Sequence, residues 1–162
     1  MENHAVIKLN CNNLNHINNV IRLHNELLPE SYVSRLGDFF MRNFYYKDLI
    51  KEKLIDAYLY EFNNILAGFI VCTVHPFDLI RLGLRKSPFK LLYVLTISFI
   101  LNPMRLFTIL NLLKDKLSDH VISEIGTDSG QFMSFGVLEE FRGMKNETGR
   151  TPSQELMDKV FE

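Results

Sequence analysis

Between Gln131 and Glu162 the text QFMSFGVLEEFRGMKNETGRTPSQELMDKVFE sets an apolar extended run, an Arg-Gly step, a polar loop and the start of a helix in succession. Such a succession can bind an anion. A helix N-terminus exposes unpaired backbone donors and the positive end of its dipole. Gly143 and Gly149 permit backbone conformations that side chains obstruct, and Thr148, Thr151 and Ser153 offer hydroxyl donors. Arg142, Lys145 and Arg150 add positive charge, so a pyrophosphate suits the segment. The same residues also describe an ordinary capped surface turn, and local composition alone favours that description.

Three carboxylates near this segment, Glu124, Asp128 and Glu139, are available to take a proton from a substrate. The plainer reading of each is a solvated surface group, since surface Asp and Glu need no special role. His4, His16, His24, His75 and His120 are scattered without ligand spacing, and Cys11 and Cys72 complete no zinc pattern, so no metal is expected. Tyr45, Tyr46, Tyr58 and Tyr60 either line an acceptor site or pack the core, and packing is the plainer reading.

These residues need a scaffold. Ala5 to Asn10 alternates weakly and ends in an Asn cluster, which predicts a short strand and a turn. From Leu14 apolar residues recur at helical spacing until Pro29 ends the run. Ser31 then caps a second expected helix carrying Tyr32, Leu36, Phe39, Phe40, Phe44 and Tyr45. Two apolar-aromatic runs around Asn63 and Asn64, between Asp56 and Val74, predict a hairpin, with Gly68 marking a bulge or a close backbone approach. An apolar stretch broken by Pro88 and by Asn102 with Pro103 predicts two or three short helices across about residues 77–117. Its uninterrupted part, Leu91 to Leu101, spans about 16 Å at about 1.5 Å per residue, too short for a bilayer core of about 30 Å. Arg81, Arg85, Lys86 and Lys90 border this stretch, which suits either a solvated helix face or peripheral contact with anionic lipid. Gln131 to Leu138 is the last strand, and Pro152 opens the last helix.

In this order, the passage from MSFGVLEEFRG to TPSQELM resembles the acyl-CoA-binding segment of the GNAT superfamily of N-acetyltransferases. Phe135, Gly136 and Val137 match the strand residues whose main chain faces the pantetheine arm in that family. Arg142 and Gly143 match the start of its pyrophosphate loop, and Leu156 and Met157 match the apolar pair on the following helix. Element order extends the resemblance over most of the chain. It implies an α/β (α+β) fold: a mixed, mainly antiparallel sheet flanked by helices, in one domain over residues 1–162, with a helical insertion after the β-hairpin. It also implies acetyl-CoA as co-substrate, transfer of the acetyl group to a small amine such as an amino sugar, and no need for metal.

The sequence departs from the family in two places. Aligned backwards from Leu156, the positions of the family's Gln/Arg-x-x-Gly-x-Gly/Ala turn hold Thr148, Thr151 and Ser153, and MKNE stands as an insertion before Thr148. The family also continues with a fifth strand, a helix and a final hairpin, often bearing a Tyr that protonates the leaving thiolate. The chain read here has no counterpart, so the resemblance implies a C-terminally truncated domain, with an inactive member or a helical module for membrane or partner contact as alternatives.

Charge supports no nucleic-acid partner, because 18 Lys and Arg nearly balance 19 Asp and Glu. The polar N-terminus lacks the apolar segment of a secretory signal, and two unpaired cysteines fit a reducing compartment, so a cytoplasmic setting is expected. Composition does not fix an oligomeric state.

Overall fold

The computed structural model describes residues 4–75, 79–107, 110 and 130–161. Glu124, Asp128 and His120 lie outside the described residues.

Strand β1 (His4–Lys8) precedes helix α1 (Leu14–Leu27). The Asn cluster supplies the cap: Asn13 accepts from the His16 amide, and α1 buries Ile17, Val20, Ile21 and His24 on one face. The helix stops at Leu28, immediately before Pro29. Ser31 accepts from the Ser34 amide and opens α2 (Tyr32–Leu36), as its hydroxyl suggested. The single second helix expected from this cap is instead broken. Gly37 adopts φ +88 and ψ 168, a conformation open essentially to glycine alone, and the chain restarts as α3 (Asp38–Phe40). It runs on into a π-helical segment, Met41–Leu49, whose wider turn buries Tyr45 and Tyr46 together. The Arg105 guanidinium covers Gly37 so closely that any Cβ there would collide with it.

The hairpin forms as read. Strands β2 (Asp56–Phe62) and β3 (Ile65–Thr73) meet at Asn63 and Asn64, with φ +48 and +65, the paired left-handed conformations of a tight two-residue turn. Pairing shifts register where Tyr60 opposes Gly68 and Glu61 opposes Leu66, leaving Ala67 as an extra residue. Gly68 beside it also makes the close approach its sequence suggested. A Cβ would lie 3.0 Å from Val137 Cγ2 and 3.1 Å from the Gly136 carbonyl oxygen.

Strand β4 (Gln131–Val137) pairs with β3, and the sheet order is β1-β2-β3-β4. Every pairing among the described residues is antiparallel, so the mixed sheet expected from the resemblance is simpler here: an α+β fold on a four-stranded antiparallel sheet. Between β3 and β4 the chain forms α4 (Leu79–Lys86) and α5 (Pro88–Leu101), divided at Ser87 and Pro88 as the proline predicted. Pro88 occupies the first turn of α5, where its missing amide costs no helical bond. Lys86 pairs with Glu52 at 3.5 Å and Lys90 pairs with Asp48, fastening this helical pair to the end of the π-helical segment. No described helix is long and apolar enough to cross a membrane.

Helix α6 (Pro152–Phe161) lies on the opposite face of the sheet from α1. Residues such as Ile17, Met41, Tyr46, Leu59 and Phe69 fill the α1 side, while Leu156 fills the α6 side against Ile70 and Val137. This division separates the tyrosines. Tyr45 and Tyr46 belong to the α1 core, whereas Tyr58 and Tyr60 pack toward α6, so the four do not line one acceptor site.

Because Gly37 uses a backbone conformation that other residues occupy at a cost of about 1–3 kcal/mol, Gly37→Ala should lower stability by at least that much. Urea unfolding measures it, and an unchanged midpoint would show that the helix break does not depend on glycine.

Candidate functional site

The resemblance centres on β4, which forms the outer strand of the described sheet. Hydrogen-bond alternation decides which of its amides face outward. The Leu138 amide donates to the Ala67 carbonyl at 2.8 Å, so Gly136, two residues back, also faces β3, while Phe135 and Val137 direct their main-chain groups to the outer edge. The Val137 carbonyl on that edge accepts from Arg142 Nε at 3.0 Å. Arg142 thus has its Nε engaged with the strand while the residue remains exposed.

Gly136 has a packing role. A Cβ at this position would sit 2.8 Å from Leu27 Cδ1 and 3.4 Å from Phe69 Cε1, so glycine is what allows α1 to lie against β4. Another register shift between Val71 and Cys72 leaves Met133 unpaired opposite them and bends β4 at its N-terminal half.

After β4 a 3-10 turn (Glu139–Phe141) buries Phe141 beside Leu156, and a loop leads into α6. The loop closes on Asn146. Its Oδ1 accepts from the Thr148 amide at 3.0 Å, the Thr148 hydroxyl at 2.7 Å and the Arg150 amide at 2.8 Å, while its Nδ2 donates to the Glu155 carboxylate. The Asn146 amide in turn donates to the Arg150 carbonyl. Gly149, at φ +77, makes the reversal this ring requires. Gly143 carries no such demand: its φ is not positive and no atom lies within 4 Å of an added Cβ, which corrects the steric role expected for it.

At the start of α6, Thr151 and Gln154 cap each other. The Thr151 amide donates to Gln154 Oε1 at 2.9 Å and the Gln154 amide donates to Thr151 Oγ1 at 3.4 Å. Pro152 contributes no amide, and Ser153 is half-buried in the first turn. Arg150 is paired with Asp158. The structure thus gathers Arg142, Gly143, Thr148, Gly149, Arg150 and Thr151 onto one loop, with Ser153 in the first turn of α6 beyond it, and several of the expected anion donors are already satisfied by neighbouring side chains. Asn146 sits where it receives two amides and a hydroxyl, a position that an anionic oxygen would also satisfy. In the sequence this residue stands within the MKNE insertion. Its signal was legible in the Asn-Glu-Thr-Gly run, since Asn side chains commonly accept from amides two residues on.

Glu139 is exposed at the end of β4, and no described group holds its carboxylate. Two clefts adjoin the sheet. One, of about 380 Å³, lies at the other end of β4 among Asp56, Tyr58, Cys72, Gln131 and Phe132. The second, of about 310 Å³, lies between β1 and α6 and includes Arg150, Glu155 and Asp158. Neither includes Phe135, Gly136 or Val137. Burial pushes the Cys72 thiol up, which favours its protonated form. No group of acidic, histidine or cysteine residues suited to a metal occurs among the described residues.

The sequence reading left one polar cluster unconnected. His24 is fully buried, with Nδ1 2.7 Å from the Tyr46 hydroxyl, Nε2 3.2 Å from Ser31 Oγ, and its ring stacked 5.0 Å from Phe69. Phe69 in turn reaches Gly136, so the cluster lies one ring beneath the candidate strand. Burial lowers the His24 pKa to about 4, which holds the imidazole neutral. Burial also pushes the neighbouring Tyr45 hydroxyl up to about 12, with Ser134 acting in the opposite sense, although that hydroxyl has no partner at hydrogen-bond geometry. The signal for His24 was its place in the α1 stripe, seven residues after Ile17.

Comparisons with protein-family models, curated proteins and solved structures yield no match to this chain.

Two outcomes follow from these hydrogen bonds. An unfolded histidine titrates near 6.5, so the unfolded chain gains a proton first as pH falls; His24 contributes stability fully present above about 6.5 and lost toward about 4. Unfolding at pH 7 and pH 5 should differ by roughly 2 kcal/mol from this residue, and His24→Gln should remove that difference. Equal pH slopes in the two proteins would exclude the assignment. Asn146→Ala should cost about 1 kcal/mol and accelerate hydrogen exchange at the Thr148 and Arg150 amides, whereas unchanged exchange would show that Asn146 does not hold the loop.

Proposed function

We propose that the chain is a GNAT-like acyl-CoA N-acyltransferase domain that takes acetyl-CoA and transfers its acetyl group to a small amine, an amino sugar being one such acceptor. The observation that carries this reading is the outer edge of β4. Phe135 and Val137 direct main-chain groups outward there, and the strand leads directly into an Arg-bearing loop and a helix N-terminus. An amide-containing pantetheine arm can pair with such an edge as an added strand does. The loop from Arg142 to Ser153 then stands where the pyrophosphate end would follow.

In this reading the acceptor amine loses a proton to a carboxylate or to water and attacks the thioester carbonyl. A C–N bond forms, the C–S bond breaks, and the thiolate leaves with a proton. Outward amides of β4 would stabilise the charge developing on the carbonyl oxygen. Glu124, Asp128 and Glu139 are the carboxylates offered by the sequence, and Glu139 is the one among the described residues.

The Asn146 ring favours a second reading, in which the domain retains the fold and no longer turns over substrate. Phosphate would have to displace Asn146 Oδ1 from the Thr148 and Arg150 amides before using them. Acetyl-CoA titration monitored by thermal unfolding separates the two. Saturable stabilisation is expected, on the order of 2.7 kcal/mol at a ligand concentration of about 100 times Kd, and Arg150→Ala should weaken it. No shift at millimolar acetyl-CoA would overturn cofactor binding, while binding without acetyl transfer to any of a panel of amines would favour the inactive reading.

A further inference from the structure

Helix α5 is apolar on two opposite sides. Leu91, Val94 and Ser98 are buried against the domain, while Phe89, Leu92, Tyr93, Thr96 and Ile100 follow at i, i+3, i+4, i+7 and i+11 along the outer side. Phe89 is 86% exposed, Leu92 65% and Ile100 72%, so this is a continuous stripe and not a scatter of single residues. Met104 and Phe107, 68% and 60% exposed, extend the apolar surface beyond the helix. Burying one side against the sheet domain explains half of the helix's composition and leaves the outer half unexplained.

Charge at one end of the stripe indicates what covers it. The pairs Lys86–Glu52 and Lys90–Asp48 bring the end of the π-helical segment beside the start of α5. The two segments that these pairs join, residues 47–53 and 85–90, carry Lys47, Lys51, Lys53, Arg85, Lys86 and Lys90 and two carboxylates, Asp48 and Glu52. Lys51 and Arg85 are exposed and make no ion pair among the described residues. A local cationic excess therefore adjoins an exposed aromatic-aliphatic stripe in a chain whose overall charge is only -1.

We propose that this face docks on the surface of an anionic phospholipid bilayer. Phe89, Leu92 and Ile100 enter the boundary between headgroups and acyl chains, and the basic junction meets the lipid phosphates. The helix lies in the interface and does not span it, in keeping with its 14 residues and with the absence of a described helix able to cross a membrane. Dual readout favours a bilayer over a protein partner: the apolar stripe supplies insertion, and the cationic end supplies attraction to a surface of one charge sign. This inference is independent of the acyl-CoA reading, because the residues involved belong to neither β4 nor its loop.

Flotation of the full chain with vesicles of phosphatidylcholine alone, and of phosphatidylcholine mixed with phosphatidylglycerol, tests the proposal. Binding should require phosphatidylglycerol and weaken with added salt. Two double variants at exposed positions separate the contributions: Lys51→Glu with Arg85→Glu, and Phe89→Ser with Leu92→Ser. Each should reduce binding on the order of tenfold or more, with unchanged unfolding midpoints showing that the fold survives. Lack of flotation by the folded parent chain overturns the proposal, as does binding that either variant leaves intact. Sedimentation that instead shows a dimer dissociated by Phe89→Ser with Leu92→Ser, without vesicle binding, assigns the stripe to a second copy and also overturns it.

Discussion

The structure depends on the burial of β3 from both sides. Phe69 and Val71 face the core built by α1 and the π-helical segment, while Ala67 and Ile70 face the core under α6, and all four are fully buried. Both edges of the strand are paired as well, with β2 on one side and β4 on the other. The bulge at Ala67 adapts this arrangement: Ala67 and Gly68 both turn toward α6, and the missing side chain at Gly68 lets Leu156 and Val137 close over the strand. Four separate contacts thus converge on five consecutive small or apolar residues. Displacement of this strand would disturb both cores and the edge to which the candidate site belongs.

Sequence made the regular elements legible where a local physical signal coincided with the final structure. Asn63 and Asn64 specify their turn because the pair tolerates positive φ, and Pro88 specifies the α4–α5 boundary because it lacks an amide. The order of β1, α1, hairpin, helical pair, β4 and α6 followed from such signals. What sequence could not disclose was tertiary in origin. The helix after Ser31 breaks at Gly37, where Arg105 from a distant segment packs, and periodicity over so few residues cannot anticipate either that contact or the π-helical turn beyond it. Tyr58 and Tyr60 share composition with Tyr45 and Tyr46, but the first pair points from β2 toward α6, whereas the second sits in the π-helical segment on the α1 side of the sheet.

The candidate site was legible as a locality and less so as chemistry. Arg142, Thr148, Gly149, Arg150 and Thr151 do share one loop at the start of a helix, whose first turn holds Ser153. Residue type alone cannot say whether an amide or hydroxyl is vacant, and here Asn146 and Gln154 provide acceptors from within the loop. Gly136 similarly carries two meanings. It stands in the run matched to a strand that presents its main chain to a ligand, but its own amide and carbonyl face β3, and its immediate physical necessity is the approach of Leu27. His24 was hidden for the opposite reason: a polar residue in an apolar stripe has meaning only once Tyr46, Ser31 and Phe69 surround it.

Strands β3 and β4 are antiparallel neighbours, a relation that a two-residue turn can satisfy, yet residues 74–130 stand between them. Closure entropy grows only with the logarithm of loop length, by about 0.6 kcal/mol for each doubling, so additional flexible chain within this excursion would cost the sheet little. Kinetics are less forgiving. The β2–β3 hairpin can assemble from adjacent segments, whereas β1, with residues 9–55 before β2, and β4 must each find their place from far along the chain. One of the two strands that close over a long connection is then the one whose outer edge carries the proposed chemistry. Lengthening the excursion with flexible chain would therefore alter when that edge is completed more than how firmly it is held.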